Sequence, residues 1–579
     1  MDFKQFFISC IKKHWKHFLP GIITLLIVDI VQLFIPLIIG DTINRLEILD
    51  IDFNGLLIRG FILMGVALIM SAMRFLWRYF IILSAFKIGF EMRRDIMKKL
   101  YSFPISFFSK NKTGDLMSIV VNDVDAVRFL LGMGMVAAFD MVILAIMALG
   151  MMIYYSPSLT LIAMIPAPLI VIILYYFEGP LHKRFLSIQE LFGKISVKVK
   201  ESIEGIALIK LYRLYGIKND EFSELNKKYK RDSLVVTSID ALYNPIVNFF
   251  MMGILGALIY YGGGKVVESS MKLGDFIAFT RYLDIIVWPL MALGWVFSLY
   301  QRARSAYERI QGIMMQENNI ISGDTKLNSI EKGISLKNVD FSYETGSFKL
   351  ENINVEFKKS TLTGIAGKIG CGKTTFINLL LRLHDVNSGV IEINGVDIKN
   401  YNIKSLRDSI AYVPQEVFLF SDSILNNLRF ADENISDEEI KKVLEVSDCN
   451  EFVKNLPNGI NTVVGERGVS LSGGQKQRLA LARALVLKRP FIIMDDCLSA
   501  VDSETEKRIL ENLKEKWHGT TSIVVSHRLS AFFTADNIIV LDNGKVESQG
   551  NHQTLKEKSV IYKSMFEKQQ IEKELENEL

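Results

Sequence analysis

The chain has 579 residues, half of them hydrophobic, with 67 basic and 63 acidic side chains and a net charge of +4. That length exceeds one ordinary domain, and so balanced a charge, with no basic block among aromatics, gives no argument for a nucleic-acid partner, and none is expected. Cys10, Cys371, Cys449 and Cys497 stand far apart without metal-like spacing, which excludes a zinc site or disulfide framework and fits a reducing compartment.

Residues 1–17 mix Lys4, Lys12, Lys13 and Lys16 with Phe3, Phe6, Phe7, Ile11 and Trp15, and no small-residue cleavage site follows. This predicts an amphipathic helix on the membrane surface rather than a signal peptide. Six apolar stretches then approach the roughly 20 residues that cross a hydrocarbon core: 18–40, 56–82, 128–153, 159–177, 245–264 and 273–298. Lys and Arg are unevenly distributed between them. Segment 83–127 carries seven and 178–244 carries twelve, whereas 41–55 has only Arg45, 154–158 none, and 265–272 just Lys265 and Lys272. By the positive-inside rule both termini and the two long segments are cytoplasmic. Those segments are amphipathic and read as extensions of the membrane helices. The expected organisation is an interfacial helix (1–17), a six-span all-α membrane domain (18–310), a linker (311–330), an α/β domain (331–567) and a charged tail (568–579).

In the α/β domain, 336–341, 361–366 and 491–494 read as strands, and 374–383 and 475–486 as helices. The run GKIGCGKT at 367–374 follows one strand and opens one helix, the context a phosphate-binding loop requires. Its glycines let backbone N–H groups face phosphates at a helix N-terminus. Gly367, Lys368, Gly370, Cys371, Gly372, Lys373, Thr374 and Thr375 are thus the candidate nucleotide residues. Lys373 is expected to reach the β/γ-phosphates, and the Thr374 hydroxyl to ligate magnesium. A second apolar strand ends in Asp495 and Asp496, which puts a carboxylate at the strand terminus to hold that metal. A third piece, LSGGQ at 471–475, leads into a cationic helix, so Ser472, Gly473, Gly474 and Gln475 form another anion-binding N-terminus. Two cradles in one chain suggest a dimer in which each closes on the partner's nucleotide.

Taken together, these motifs resemble the ATP-binding-cassette proteins, with LSGGQ similar to their signature sequence. The resemblance implies ATP and Mg2+ as cofactors. It places Tyr343 on adenine, Gln415 (in YVPQ) at magnesium and the membrane domain, Asp502 (in SAVD) across the dimer interface, and His527 (in VSHR) as the switch histidine. GERG at 465–468 resembles the segment by which exporters meet their membrane domains. FPISFF at 103–108, TGDLMS at 113–118 and NDV at 122–124 resemble the first cytoplasmic loop of bacterial multidrug and lipid A exporters; Glu201, Gly205, Tyr215, Gly216 and Phe222 fall in stretches resembling the second. One membrane domain and one cassette make a half-transporter, whose partner is a second half-transporter chain. The implied cargo is hydrophobic or amphipathic: small molecules or lipids.

One position departs from the family. Where a Glu usually polarises the attacking water, this chain has Asp496, one methylene shorter. An error of about 1 Å can cost on the order of a hundredfold in rate, so this site is expected to bind ATP well and hydrolyse it poorly. Heterodimeric exporters show the same departure; a homodimer with a working Asp is the alternative. Asp29, Asp140 and Asp284 lie near span centres, with Arg74, Arg78 and Arg281 also in apolar stretches. They suggest either a cation-attracting cavity or internal pairing, as for Arg281 with Asp284 at i,i+3. An ATP-gated channel or regulator would use the same parts. A peptide processor-exporter would need a protease domain ahead of the first span. Import is disfavoured because membrane and ATPase parts share one chain.

Overall fold

Packing divides the chain, in this computed structural model, into two units: Met1–Tyr101 with Gly114–Gln316, and Ser102–Thr113 with Glu317–Leu579. The structure describes residues 2–317, 320–343, 348–465, 470–516 and 519–578. For 166–183, 240, 243–244, 247, 251, 290–291, 516, 572–573 and 576–578 it describes the backbone alone.

The first unit is helical. A short helix, Phe3–Lys13, opens on a capping box in which Asp2 and Gln5 satisfy each other's backbone N–H groups. Among the described residues five helices are long and apolar enough to cross a membrane: Trp15–Glu47, Phe53–Ser102, Thr113–Tyr155, Asn248–Val267 and Leu273–Met314. The expected fourth span, 159–177, falls on helices Pro157–Met164 and Pro166–Glu204; its side chains from 166 onward lie outside the described residues, so the count of six is not reached. A 50-residue helix such as Phe53–Ser102 is about 75 Å long, more than twice the hydrocarbon thickness. A helix of that length projects well beyond the bilayer. Only 6% of the most apolar window of Phe53–Ser102 is buried. A helix that is apolar yet unburied suits lipid rather than water.

Charges inside this unit are handled in different ways. Arg281 and Asp284 pair at 3.4 Å on an exposed face. Asp123 takes two bonds from Arg309, at 2.8 and 2.6 Å. Asp29 is fully buried with Oδ2 unpartnered, and Asp140 likewise keeps a buried, unpartnered Oδ1.

Among its described residues the second unit contains ten strands: β1 (Ile334–Ser342), β2 (Lys349–Phe357), β3 (Leu362–Gly367), β4 (Ser388–Ile393), β5 (Val396–Asp397), β6 (Ile410–Val413), β7 (Phe491–Asp495), β8 (Thr521–Val525), β9 (Asn537–Asp542) and β10 (Lys545–Gly550). One sheet is antiparallel, in the order β2-β1-β4-β5; the other runs β10-β9-β3-β8-β7-β6. In the larger sheet β9, β3, β8, β7 and β6 are mutually parallel. Every residue of β7 is buried, as expected of a strand covered on both faces by helices. Parallel strands deliver their C-terminal ends to one edge, so Gly367, Asp495 and Val525 arrive together. The last helix, Val560–Glu578, runs through the residues read from sequence as a charged tail.

Candidate nucleotide site

The loop after β3 turns sharply into helix Lys373–Leu380. Gly370 and Gly372 have φ of +81° and +105°, left-handed values that favour glycine, and a Cβ at Gly372 would collide with the Phe348 ring. No side chain caps this helix, so its first N–H groups are left for a ligand. Tyr343, Gly370, Gly372, Lys373, Thr374, Thr375, Gln415 and His527 surround one cavity of about 300 Å³, together with Phe348 and Ile369. The structure thus gathers eight of the eighteen sequence candidates into a single concavity.

Within it Lys373 Nζ donates to the carbonyls of Gly367 (2.8 Å) and Lys368 (2.9 Å) and lies 3.8 Å from Cys371 Sγ. Burial lowers the pKa of this ammonium, opposed by Cys371, Asp496 and Asp495. An anion at the cavity would favour the charged form. Tyr343 Oη and Thr375 Oγ1 are 3.2 Å apart, and the tyrosine ring meets His384 edge-on, leaving a flat aromatic at the cavity's rim.

Asp495 and Asp496 follow from the end of β7, both nearly fully buried. Burial pushes the pKa of Asp495 up, while hydroxyl donors on Thr374 and Tyr412 pull it down. Its Oδ2 has no hydrogen-bond partner. An orphaned carboxylate oxygen beside a threonine hydroxyl is a hard-oxygen set of the kind magnesium takes, with phosphates and water completing the shell. The residues therefore fit Mg2+; among the described residues no group of three or more His, Cys, Asp or Glu could hold a metal unaided. Asp496 sits at φ +46°, a left-handed conformation that Asp tolerates better than most residues. Gln415 Nε2 donates to Asp496 Oδ2 at 3.3 Å, and His527 Nε2 lies 3.9 Å from the same oxygen. Burial, and next Lys373, lower the His527 pKa; Asp496 opposes them. The neutral imidazole is thus favoured near neutrality.

Ser472, Gly473, Gly474 and Gln475 lie elsewhere, at the start of helix Gly473–Leu485 and outside the cavity lining. Asp502 caps the following helix by accepting from Thr505 N–H at 2.9 Å. Of GERG, residues 466–468 lie outside the described residues. Two residues that sequence reading passed over join these parts. Gln477 donates to Ser499 Oγ (3.1 Å) and accepts from Ala500 N–H (2.8 Å). Arg528 donates to the carbonyls of Val501 (2.6 Å) and Ser499 (3.1 Å) and pairs with buried Glu506. The 499–502 loop is therefore clamped between the helix that begins at Gly473 and the His527 loop. Both residues sit beside quoted motifs, but nothing in their spacing announces a clamp.

Two family models match the chain: "ABC transporter transmembrane region" over residues 18–290 and "ABC transporter" over 350–499. The multidrug resistance-like ATP-binding protein MdlA of Escherichia coli (strain K12) is 32% identical over 98% of this chain and 96% of its own length. The probable multidrug resistance ABC transporter ATP-binding/permease protein YheI of Bacillus subtilis (strain 168) is also 32% identical, over 97% of this chain and 96% of its own length. The ATP-dependent lipid A-core flippase of Haemophilus influenzae (strain 86-028NP) is 30% identical over 90% of this chain and 89% of its own length. With a helical membrane region joined to an α/β cassette and relatives matched over 89–96% of their length, this chain belongs to the ATP-binding-cassette transporters, ATPases coupled to transmembrane transport.

Proposed function

We propose that this chain is the weak-site half of an asymmetric exporter of amphipathic, drug-like or lipid molecules. The printed functions of the relatives, multidrug resistance and lipid A-core flipping, support that cargo class. In this reading the cassette (331–567) and the termini are cytoplasmic and the membrane domain (18–310) has six spans. Tyr343 stacks on adenine, and the N–H groups of 370–375 receive the triphosphate. Lys373 turns from its loop carbonyls to the β/γ-phosphates, and Thr374, Asp495 and Gln415 hold Mg2+. When bound, Mg2+ neutralises phosphate charge. Asp496 takes the proton of the attacking water and His527 faces the γ-phosphate. Ser472–Gln475 and Asp502 serve the nucleotide of the partner chain.

The observation that carries the asymmetry is the environment of Asp496. Its carboxylate is one methylene shorter than the usual Glu, stands on a left-handed residue, and already accepts from Gln415 through Oδ2. General-base catalysis needs that oxygen within hydrogen-bond reach of the water. The chain purified alone should show low ATPase activity that rises sharply with its partner. Asp496→Asn should change the pair's turnover modestly, and Asp496→Glu should raise it. Vigorous ATPase activity of a homodimer, abolished by Asp496→Asn, would replace this reading with a homodimeric exporter using an Asp base.

The unpartnered Asp140 oxygen favours a cation-attracting cavity over simple pairing. Asp140→Asn should then reduce export of cationic dyes more than neutral ones. Equal loss of both would assign the residue to folding.

A further inference from the structure

His527 follows β8, and the closest approach between its ring and an acidic group is 3.9 Å, to Asp496 Oδ2. That exceeds hydrogen-bond length, so where the ring points depends on how its backbone is held. The holding group comes from far along the chain. Gln569, on helix Val560–Glu578, donates through Nε2 to the His527 carbonyl at 2.6 Å and accepts through Oε1 from Leu529 N–H at 2.9 Å. A carbonyl needs a donor and an N–H needs an acceptor, so the two partners fix the orientation of the amide. The pair of bonds resembles what a neighbouring strand residue offers to positions i and i+2.

The helix that carries Gln569 is anchored independently. Tyr562 is fully buried, with its hydroxyl 2.8 Å from His552 Nδ1. Ser559 Oγ donates to Glu547 at 2.7 Å, and Phe566 packs against the His552 ring. Beyond Gln569, Ile571 and Leu575 are more than half exposed. Gln569 thus lies past the buried anchor of the helix, just before these exposed side chains.

We propose that Gln569 is a positioning residue for His527, so that docking of the final helix sets how this loop meets the terminal phosphate. The proposal rests on the assignment of His527 to the γ-phosphate made above. Its consequence is selectivity for a triphosphate over a diphosphate, because only the former has the group His527 would face.

The test uses the full-length dimer in lipid nanodiscs. This chain is photolabelled with 8-azido-ATP, and the label is displaced by AMP-PNP or by ADP. His527→Ala should lower the preference for AMP-PNP over ADP. Gln569→Ala should lower it about fivefold, a size typical of losing one ordinary hydrogen bond, with ADP displacement and thermal unfolding unchanged. Added to His527→Ala, Gln569→Ala should cost nothing more, since the two act as one unit. Gln569→Glu keeps the acceptor for Leu529 but sets an anion against the His527 carbonyl. Its preference at pH 8 should be as low as that of Gln569→Ala, with ADP displacement unchanged. This variant also decides the matter if Gln569→Ala folds poorly. An unchanged preference in Gln569→Ala, beside a loss in His527→Ala, overturns the proposal and leaves the assignment of His527 standing. Equal losses with and without His527, or parallel weakening of AMP-PNP and ADP, reduce Gln569 to a structural role and overturn it too. No effect of His527→Ala removes the assignment and the proposal together.

Discussion

Two helices of the cassette begin on glycine turns that read alike in sequence, and their ends are finished differently. Helix Lys373–Leu380 starts from a left-handed Gly372 with no side-chain cap. Helix Gly473–Leu485 starts from Ser472, whose hydroxyl accepts from Gln475 N–H while Gln475 Oε1 accepts from Ser472 N–H. The first leaves its orphan N–H groups to a ligand, and the same chain surrounds them with Tyr343, Gln415 and His527. The second already satisfies part of its N-terminus and stands outside that cavity. An anion arriving there must compete with Ser472 for the same donors. In the function proposed above, the first cradle holds a nucleotide and the second adds contacts to a nucleotide that a second chain brings.

The largest expected effect separates the two cradles directly. Lys373→Ala should weaken displacement of 8-azido-ATP from this chain by on the order of 10- to 100-fold, from the loss of charge-assisted bonds to phosphate. Unchanged affinity would show that the Gly372 cradle is not the binding site. Ser472→Ala should leave that affinity alone, yet slow ATP turnover of the dimer roughly tenfold or more, as loss of a donor at a developing charge does. The cap is also lost, at about 1 kcal/mol of stability, so a thermal melt must accompany the rate. If nucleotide affinity of this chain falls with Ser472→Ala, the two cradles are not independent. Tyr343→Phe should matter least. It keeps the ring and removes only the hydroxyl 3.2 Å from Thr375 Oγ1, so affinity should change less than about threefold. A larger change would mean that the hydroxyl, rather than the aromatic face, recognises the nucleotide.

Much of the site was legible because it is built from short, continuous segments. A phosphate loop needs glycines and a lysine at fixed spacing, and a strand ending in carboxylates needs only four apolar residues before Asp495. The Ser472–Gln475 cap was legible too, since Ser followed three residues later by Gln is a capping-box pattern; the anion-binding reading of the same glycines obscured it. Gln477 and Arg528 stood beside motifs, yet a single Gln or Arg says nothing of which loop it clamps. Gln569 gave no signal at all, lying 42 residues from His527 within a charged stretch that reads as a tail.

By itself the sequence determined the division into membrane and cassette parts, five of the six expected apolar spans, the glycine-rich loop between strand and helix and the carboxylates that end a later strand. Each is local: hydropathy over about 20 residues, or backbone conformations that only certain residues accept. Only the tertiary structure decided which candidates share a cavity. It alone showed Asp496 engaged by Gln415, and the final helix carrying Gln569 back to the switch loop. Those contacts depend on strand order and helix docking, which bring together groups from separate segments that no local pattern encodes.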